Sequence, residues 1–271
     1  MLFGKRNRLA ALSALALIQL LSSCASAPPP RKPTVNERIE FDRAIGSELA
    51  EQMTPQLTFK KDAQVQAYLS KVAQRIADKN PELHLPEVKV FLLKDTDRRY
   101  RSYALPGGRV YLSSSRLKTL EFESEVAAMI SIELGHVLNE QVQNFLRKNP
   151  AGLQIRDAAA LPNVLPLKTL EAPEDIDFFS KDGMFAFSAK DNDEAIASAV
   201  NLLYDAGYDP RGLVTFLQRL NDNPAHSPWD ETELSRIIEQ ARKSVALLTP
   251  LRNPIVQTDD FELIRGKIQK L

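Results

Sequence analysis

The segment Ile132-Glu133-Leu134-Gly135-His136 lies within an otherwise apolar run, with Val126, Met129 and Ile130 before it and Val137 and Leu138 after it. This pattern predicts a helix over about 124–146 that packs into the body of the protein, so the fold must accommodate a carboxylate and an imidazole there. On such a helix positions 132 and 136 are one turn apart on the same face. In the motif H-E-x-x-H, two imidazoles at that spacing converge on one Zn²⁺ while the intervening Glu acts as general base. Here the first imidazole is replaced by Ile132, whereas Glu133 and His136 remain. E-x-x-H alone is weak evidence, because any helix can carry Glu and His three apart as a surface pair or a hydrogen-bonded histidine. The surroundings have to decide.

Thirty-five basic and thirty-five acidic residues give a net charge of zero, which leaves no electrostatic footprint for nucleic acid. With 44% hydrophobic and 26% charged residues the composition is that of a folded body with a real core, and the length suits one domain or two closely packed ones. The first two dozen residues stand apart. Lys5, Arg6 and Arg8 precede an apolar stretch, Leu9 to Leu21, that is too short for a comfortable membrane span, so residues 1–23 read as an export signal. The single cysteine follows in Leu21-Ser22-Ser23-Cys24, which resembles a bacterial lipobox; acylation of Cys24 would anchor the mature chain to a lipid bilayer. Ala25 after the cysteine favours, by resemblance to enterobacterial sorting, an outer-membrane lipoprotein facing the periplasm. With one cysteine there is no intramolecular disulfide.

Residues 24–35 contain a proline-rich tether, Ala27 to Pro33, and residues 36–271 are expected to form a single domain. Thr34 and Glu37 make a capping box ahead of an amphipathic helix over about 36–53 with Phe41, Ile45, Leu49 and Met53 at four-residue spacing. A second helix spans about 62–79, with Asp62 as its cap. Val88 to Leu93 and Arg109 to Ser113 read as strands flanking a Leu105-Pro106-Gly107-Gly108 turn. Residues 148–182, broken by four prolines, read as an irregular lid-like insertion. Helices follow over about 191–204, 213–220, 231–248 and 259–270, with Gly207 past the end of the first and Asp209-Pro210 starting the next. The fold class is α+β, mainly helical, with a small sheet beside the helix that carries Glu133.

Several pieces together resemble the HtpX and CAAX-prenyl-endopeptidase group of zinc metallopeptidases, metallopeptidase family forty-eight, in a bacterial lipoprotein form. They are Ile45-Gly46, Val65 to Leu69, Ala104 to Gly108, Glu125 to Ala128, Glu133 to Val137, Ser188, Glu194-Ala195 and Ala206 to Pro210. The resemblance implies a zincin-like (gluzincin) fold, a zinc cofactor and a polypeptide substrate. It places the first zinc ligand on Ile132, the general base on Glu133, and further ligands on His136 and Glu194. Departures cluster at this centre: the family's E-A-D segment reads Glu194-Ala195-Ile196, an R-H pair after the motif reads Glu140-Gln141, and an asparagine before the turn is Arg101.

A catalytic zinc needs three protein ligands and an open position for water. His136 and Glu194 supply two; Glu133, Glu140, His84 or His226 are the alternatives for a third. Zinc is therefore expected to be weak or absent, and the chain to be a pseudopeptidase; the alternative is an active metalloendopeptidase with altered ligands in envelope protein quality control. The resemblance also implies that an extended peptide adds to a sheet edge beside the active-site helix, which needs no zinc. Gly107, Gly108, Arg109, Val110, Tyr111 and Leu112 occupy the matching position and are the expected substrate-binding residues.

Overall fold

In a computed structural model, residues 33–94, 102–148 and 176–271 are described. Cys24, the tether up to Lys32, Arg101, and most of the predicted insertion lie outside them. The first helix, α1 (Val35–Met53), begins as its sequence demands: the Thr34 hydroxyl accepts from the Glu37 N–H, and the Glu37 carboxylate accepts from the Thr34 N–H. In α2 (Ala63–Lys79) the Asp62 carboxylate caps Gln64 and Val65, and Val65, Leu69, Val72 and Ile76 form one buried stripe.

Between and after these helices the chain builds a four-stranded sheet from β1 (Phe59–Lys60), β2 (Lys89–Leu93), β3 (Tyr103–Leu105) and β4 (Arg109–Ser113). The order is β1-β2-β4-β3, with β2 and β4 parallel and both outer pairs antiparallel. Two of these strands, β1 and β3, leave no alternating run in the sequence because they are only two and three residues long. Their presence corrects one expectation: Arg109–Ser113 is not an edge strand but is paired on both sides, and among the described residues the edge nearer the Glu133 helix is β3. Alternation splits the sheet into two faces. Val90, Leu92, Ala104, Val110 and Leu112 enter the main core with α2, while Leu93, Tyr103, Leu105 and Tyr111 enter a second core under α1.

A short turn of helix, α3 (Ser114–Leu117), leads into α4 (Glu123–Leu138), the helix of the motif. Every residue from Glu123 to Val137 is buried, so α4 is a central strut rather than an amphipathic surface helix. The Glu125 carboxylate secures its start by accepting from the Glu121 and Phe122 N–H groups and from Arg219 at 2.7 Å. The predicted single helix to residue 146 is broken: Glu140 takes a left-handed backbone (φ 52°), and α5 (Gln141–Lys148) starts afresh in a new direction.

The rest of the chain wraps α4. Helix α6 (Ala189–Asp205) is capped by Ser188 and Asp191; α7 (Arg211–Asp222) follows Gly207 at φ 80°, and α8 (Glu231–Ala246) packs on both. The expected Asp209 cap is shifted: Pro210 is the cap residue of α7 and no side chain caps the helix, while the Asp209 carboxylate, one residue earlier, accepts from the Arg211 N–H at 3.0 Å. The last helix, α9 (Asp259–Ile268), lies against α2. Among the described residues no helix is long and apolar enough to cross a membrane.

Close backbone contact fixes α1 on the sheet. A Cβ at Gly46 would lie 1.8 Å from the Pro106 carbonyl oxygen in the β3–β4 turn, and one at Gly107 (φ 79°) would lie 2.6 Å from the Arg43 Cα. In an exposed helix Gly→Ala gains about 1 kcal/mol. Here the clash is with backbone, and overpacking of this kind costs about 1–3 kcal/mol or more. Gly46→Ala is therefore expected to destabilise the protein by about 2 kcal/mol, read as a lower urea midpoint; an unchanged or higher midpoint would show that α1 is not pressed onto the turn.

Candidate functional site

Helices α4 and α6 cross so closely that a Cβ on Gly135 would sit 2.5 Å from the carbonyl oxygen of Ala195. That contact decides which α6 side chains face the motif. Ala195, Ile196, Ala199 and Val200 are buried, and the helical period carries the same face back to Asn192. Asn192 lines one cleft with Ile132, Glu133 and His136. Glu194 is two residues on, about 200° around the helix, exposed and 3.6 Å from Lys190. The expectation that Glu194 joins His136 as a ligand is thus corrected: the position facing the motif is an amide. Asn192 itself donates to Glu233 of α8 at 3.0 Å.

His136 is 4% exposed. Gln141 donates to the Asp191 carbonyl at 2.8 Å, which turns its amide oxygen towards the imidazole Nδ1. The hydrogen-bond network thereby assigns the proton to Nδ1 and leaves Nε2 as the lone-pair nitrogen. Burial pushes the imidazole pKa down to about 4, against the opposing pull of the Gln141 hydrogen bond and Asp191, so the ring is neutral at physiological pH. Phe187 stacks on it, ring centroids 3.9 Å apart and planes within 12°. Ile132 is packed in the main core at 4% exposure, and Glu133 is 8% exposed at the cleft wall.

The other candidate ligands lie elsewhere. Glu140 is ion-paired with Arg38 of α1, which also approaches Asp42 at 3.8 Å. His84 sits at a left-handed position (φ 53°) after a short 3₁₀ turn and does not line the cleft. His226 ends another such turn, and its side chain is outside the description. Among the described residues no three His, Cys, Asp or Glu side chains come together to hold a metal ion. The residues described in the cleft do not fit catalytic zinc: one imidazole and the Glu133 carboxylate fall short of three ligands, Ile132 and Asn192 stand beside them, and the imidazole is covered by a phenyl ring.

The expected substrate-binding run is also placed otherwise. Val110, Tyr111 and Leu112 are buried within the sheet, Arg109 pairs with Lys89 and Leu105, and a Cβ on Gly108 (φ 91°) would meet the Glu87 carbonyl at 2.1 Å. What does line the cleft, beyond the residues the sequence singles out, is Tyr103, Arg116, Phe185, Phe187, Asn192 and Trp229. Asn192 is legible as a polar residue on the apolar stripe of α6; the aromatic residues carry no periodic signal. The open volume between them is about 30 Å³, room for little more than a water molecule.

A buried E-x-x-H helix crossing a second helix beside a small mixed sheet is the framework of a zincin-like metallopeptidase. The profile of Peptidase family M48 matches residues 61–236, about two-thirds of the chain, and the protein belongs to that family. It is similar to the Beta-barrel assembly-enhancing proteases of Escherichia coli K12 and Shigella flexneri, each 24% identical over 212 residues, and of Yersinia pestis, 22% identical over 189. The alignments cover 74% and 68% of this chain but only 42% and 38% of those relatives, so the chain spans less than half of their length.

The neutral, buried His136 has a consequence for stability. In the unfolded chain a histidine protonates near pH 6.5, whereas the folded one resists protonation until about pH 4. Between these values the unfolded state holds more protons, so stability is full above pH 6.5 and falls as pH drops towards 4. Between pH 7 and 4.5 the metal-free wild type should lose about 2 kcal/mol more than His136→Gln, measured by urea denaturation of both; parallel pH curves would contradict the burial of a neutral ring.

Proposed function

We propose that this chain is a non-catalytic member of its family, a pseudopeptidase anchored to the outer membrane through acylated Cys24 and facing the periplasm, where it holds extended or unfolded envelope polypeptide without cutting it. The observation that carries this reading is the filling of the metal position: Ile132 packs in the core, Asn192 faces the motif, and Phe187 lies flat on His136. The peptidase framework around that position is otherwise retained.

Support for a polypeptide partner comes from the sheet and from the relatives. Strand β3 lies against α4 and pairs only with β4 among the described residues, so it is the edge that a peptide strand would extend. The curated relatives are named as proteases that enhance β-barrel assembly. Lipid anchoring and export rest on the sequence between Lys5 and Cys24. The role proposed for Glu133 and His136 is structural, as cleft wall and stacking partner, with no hydrolytic step.

The test is metal content with variants that restore ligands. Purified wild-type protein dialysed against zinc should retain less than about a tenth of an equivalent, because three ligands are needed and the described cleft supplies one imidazole and the Glu133 carboxylate. Ile132→His alone should stay low, whereas Ile132→His with Asn192→Glu should rise towards about one equivalent. Stoichiometric zinc in the wild type, with casein cleavage abolished by EDTA and by Glu133→Gln, would refute the proposal.

A further inference from the structure

The ring that covers His136 belongs to a segment with an unusual geometry. From Phe185 to Ser188 burial alternates: Phe185 is buried, Ala186 exposed, Phe187 half-buried and Ser188 exposed. This is the in-and-out pattern of an extended strand laid on a surface, with two aromatic prongs two residues apart. One prong, Phe185, meets Tyr103 of the edge strand β3, ring centroids 4.2 Å apart; the other, Phe187, meets His136 at 3.9 Å. The prongs are 6.2 Å apart, edge to face.

The way this segment is tethered differs from end to end. Before it, a tight turn is closed by hydrogen bonds from Met184 to Asp177, Phe185 to Phe178 and Ala186 to Gly183. After it, Ser188 is fixed as the cap of α6. Between these anchors the Phe187 N–H makes no hydrogen bond among the described residues, and the segment forms no ladder with β3. Among the described residues the contacts of Phe187 are made by its ring, stacked on His136 in the cleft that Ile132 and Trp229 also line.

We propose that this slot is a recognition site for an aromatic side chain of an extended client peptide, and that Phe187 occupies it in the free protein as an intramolecular stand-in. The inference rests on the reading of the chain as a polypeptide binder and names the client chemistry: an aromatic-x-aromatic segment, as in the chain's own Phe185-Ala186-Phe187. A client of that kind reproduces both ring contacts and adds main-chain hydrogen bonds along the edge of β3 that faces no other strand among the described residues, which the resident segment does not make. One wall of the slot is an imidazole to which the resident ring lies within 12°, so a planar ring makes fuller contact there than a branched aliphatic side chain.

Trp229, the only tryptophan of the chain, lines the slot, so its emission reports what fills it. The experiment uses the full chain, as wild type, Phe187→Ala and Phe187→Leu, titrated with fluorescein-labelled heptapeptides centred on Phe-Ala-Phe, Val-Ala-Val or Ser-Ala-Ser. Removing the stand-in should tighten Phe-Ala-Phe binding by about tenfold or more in Phe187→Ala, less in Phe187→Leu, with a change in Trp229 emission and little gain for the other two peptides. Phe187→Leu keeps apolar volume and serves should the alanine variant fail to fold. Equal affinities across folded variants, or equal binding of Ser-Ala-Ser, would overturn the proposal. If all three proteins bind a urea-unfolded β-barrel protein equally well, the stand-in is wrong and the polypeptide-binding reading stands; if none binds peptide or unfolded protein, both fall.

Discussion

The close crossing of α4 and α6 governs the site. Gly135 allows the Ala195 carbonyl to come within a distance that any side chain would forbid, and this brings the two helices together along the stripe that starts at Asn192. Once the helices are locked in that register, Asn192 faces Ile132, Glu133 and His136, and Glu194 faces outwards to Lys190. The chemistry of the cleft follows from packing as much as from which residues carry acidic or imidazole groups. A carboxylate nearby in sequence is of no use to a metal if the helix turns it towards solvent.

A second consequence is electrostatic. With α4 buried on every side, His136 has little access to bulk water, and a neutral ring is the form that burial favours. Gln141, placed by the left-handed break at Glu140, fixes the Nδ1 proton. The open face of the imidazole is then an aromatic surface, and Phe187 takes it. Phe187 also packs against the second core, with Phe178, Phe185, Tyr103 and Tyr111 under α1. The cleft and the aromatic layer on the far face of the sheet are therefore one continuous body, linked through Tyr103 on β3.

Much of the framework is legible in the sequence. The Thr34 and Asp62 caps, the stripes of the first two helices, the Pro106-Gly107-Gly108 turn and the Gly207 stop each rest on local chemistry, and the structure contains each of them. Sequence and structure part where tertiary contacts decide. The strands at Phe59 and Tyr103 are too short to alternate, so the neighbours of Arg109–Ser113 cannot be counted from sequence and an inner strand reads as an edge. The helical spacing of Leu138, Val142, Phe145 and Leu146 carries across Glu140 and hides the break, because the left-handed backbone there leaves no signature in a non-glycine residue. In the site, Glu133 and His136 do form a cleft pair, as their spacing implies. Glu194 follows from motif position alone, although the apolar period of its own helix already favours Asn192.

The central claim is that the place of the catalytic metal is taken by side chains, with Phe187 stacked on His136. Diffraction from crystals grown with excess zinc, collected above and below the zinc absorption edge, tests it most directly. The account predicts no anomalous peak at His136 and a phenyl ring of Phe187 lying parallel to the imidazole. A strong peak bonded to Nε2 of His136, with Phe187 displaced and a second or third protein ligand in place, would contradict it.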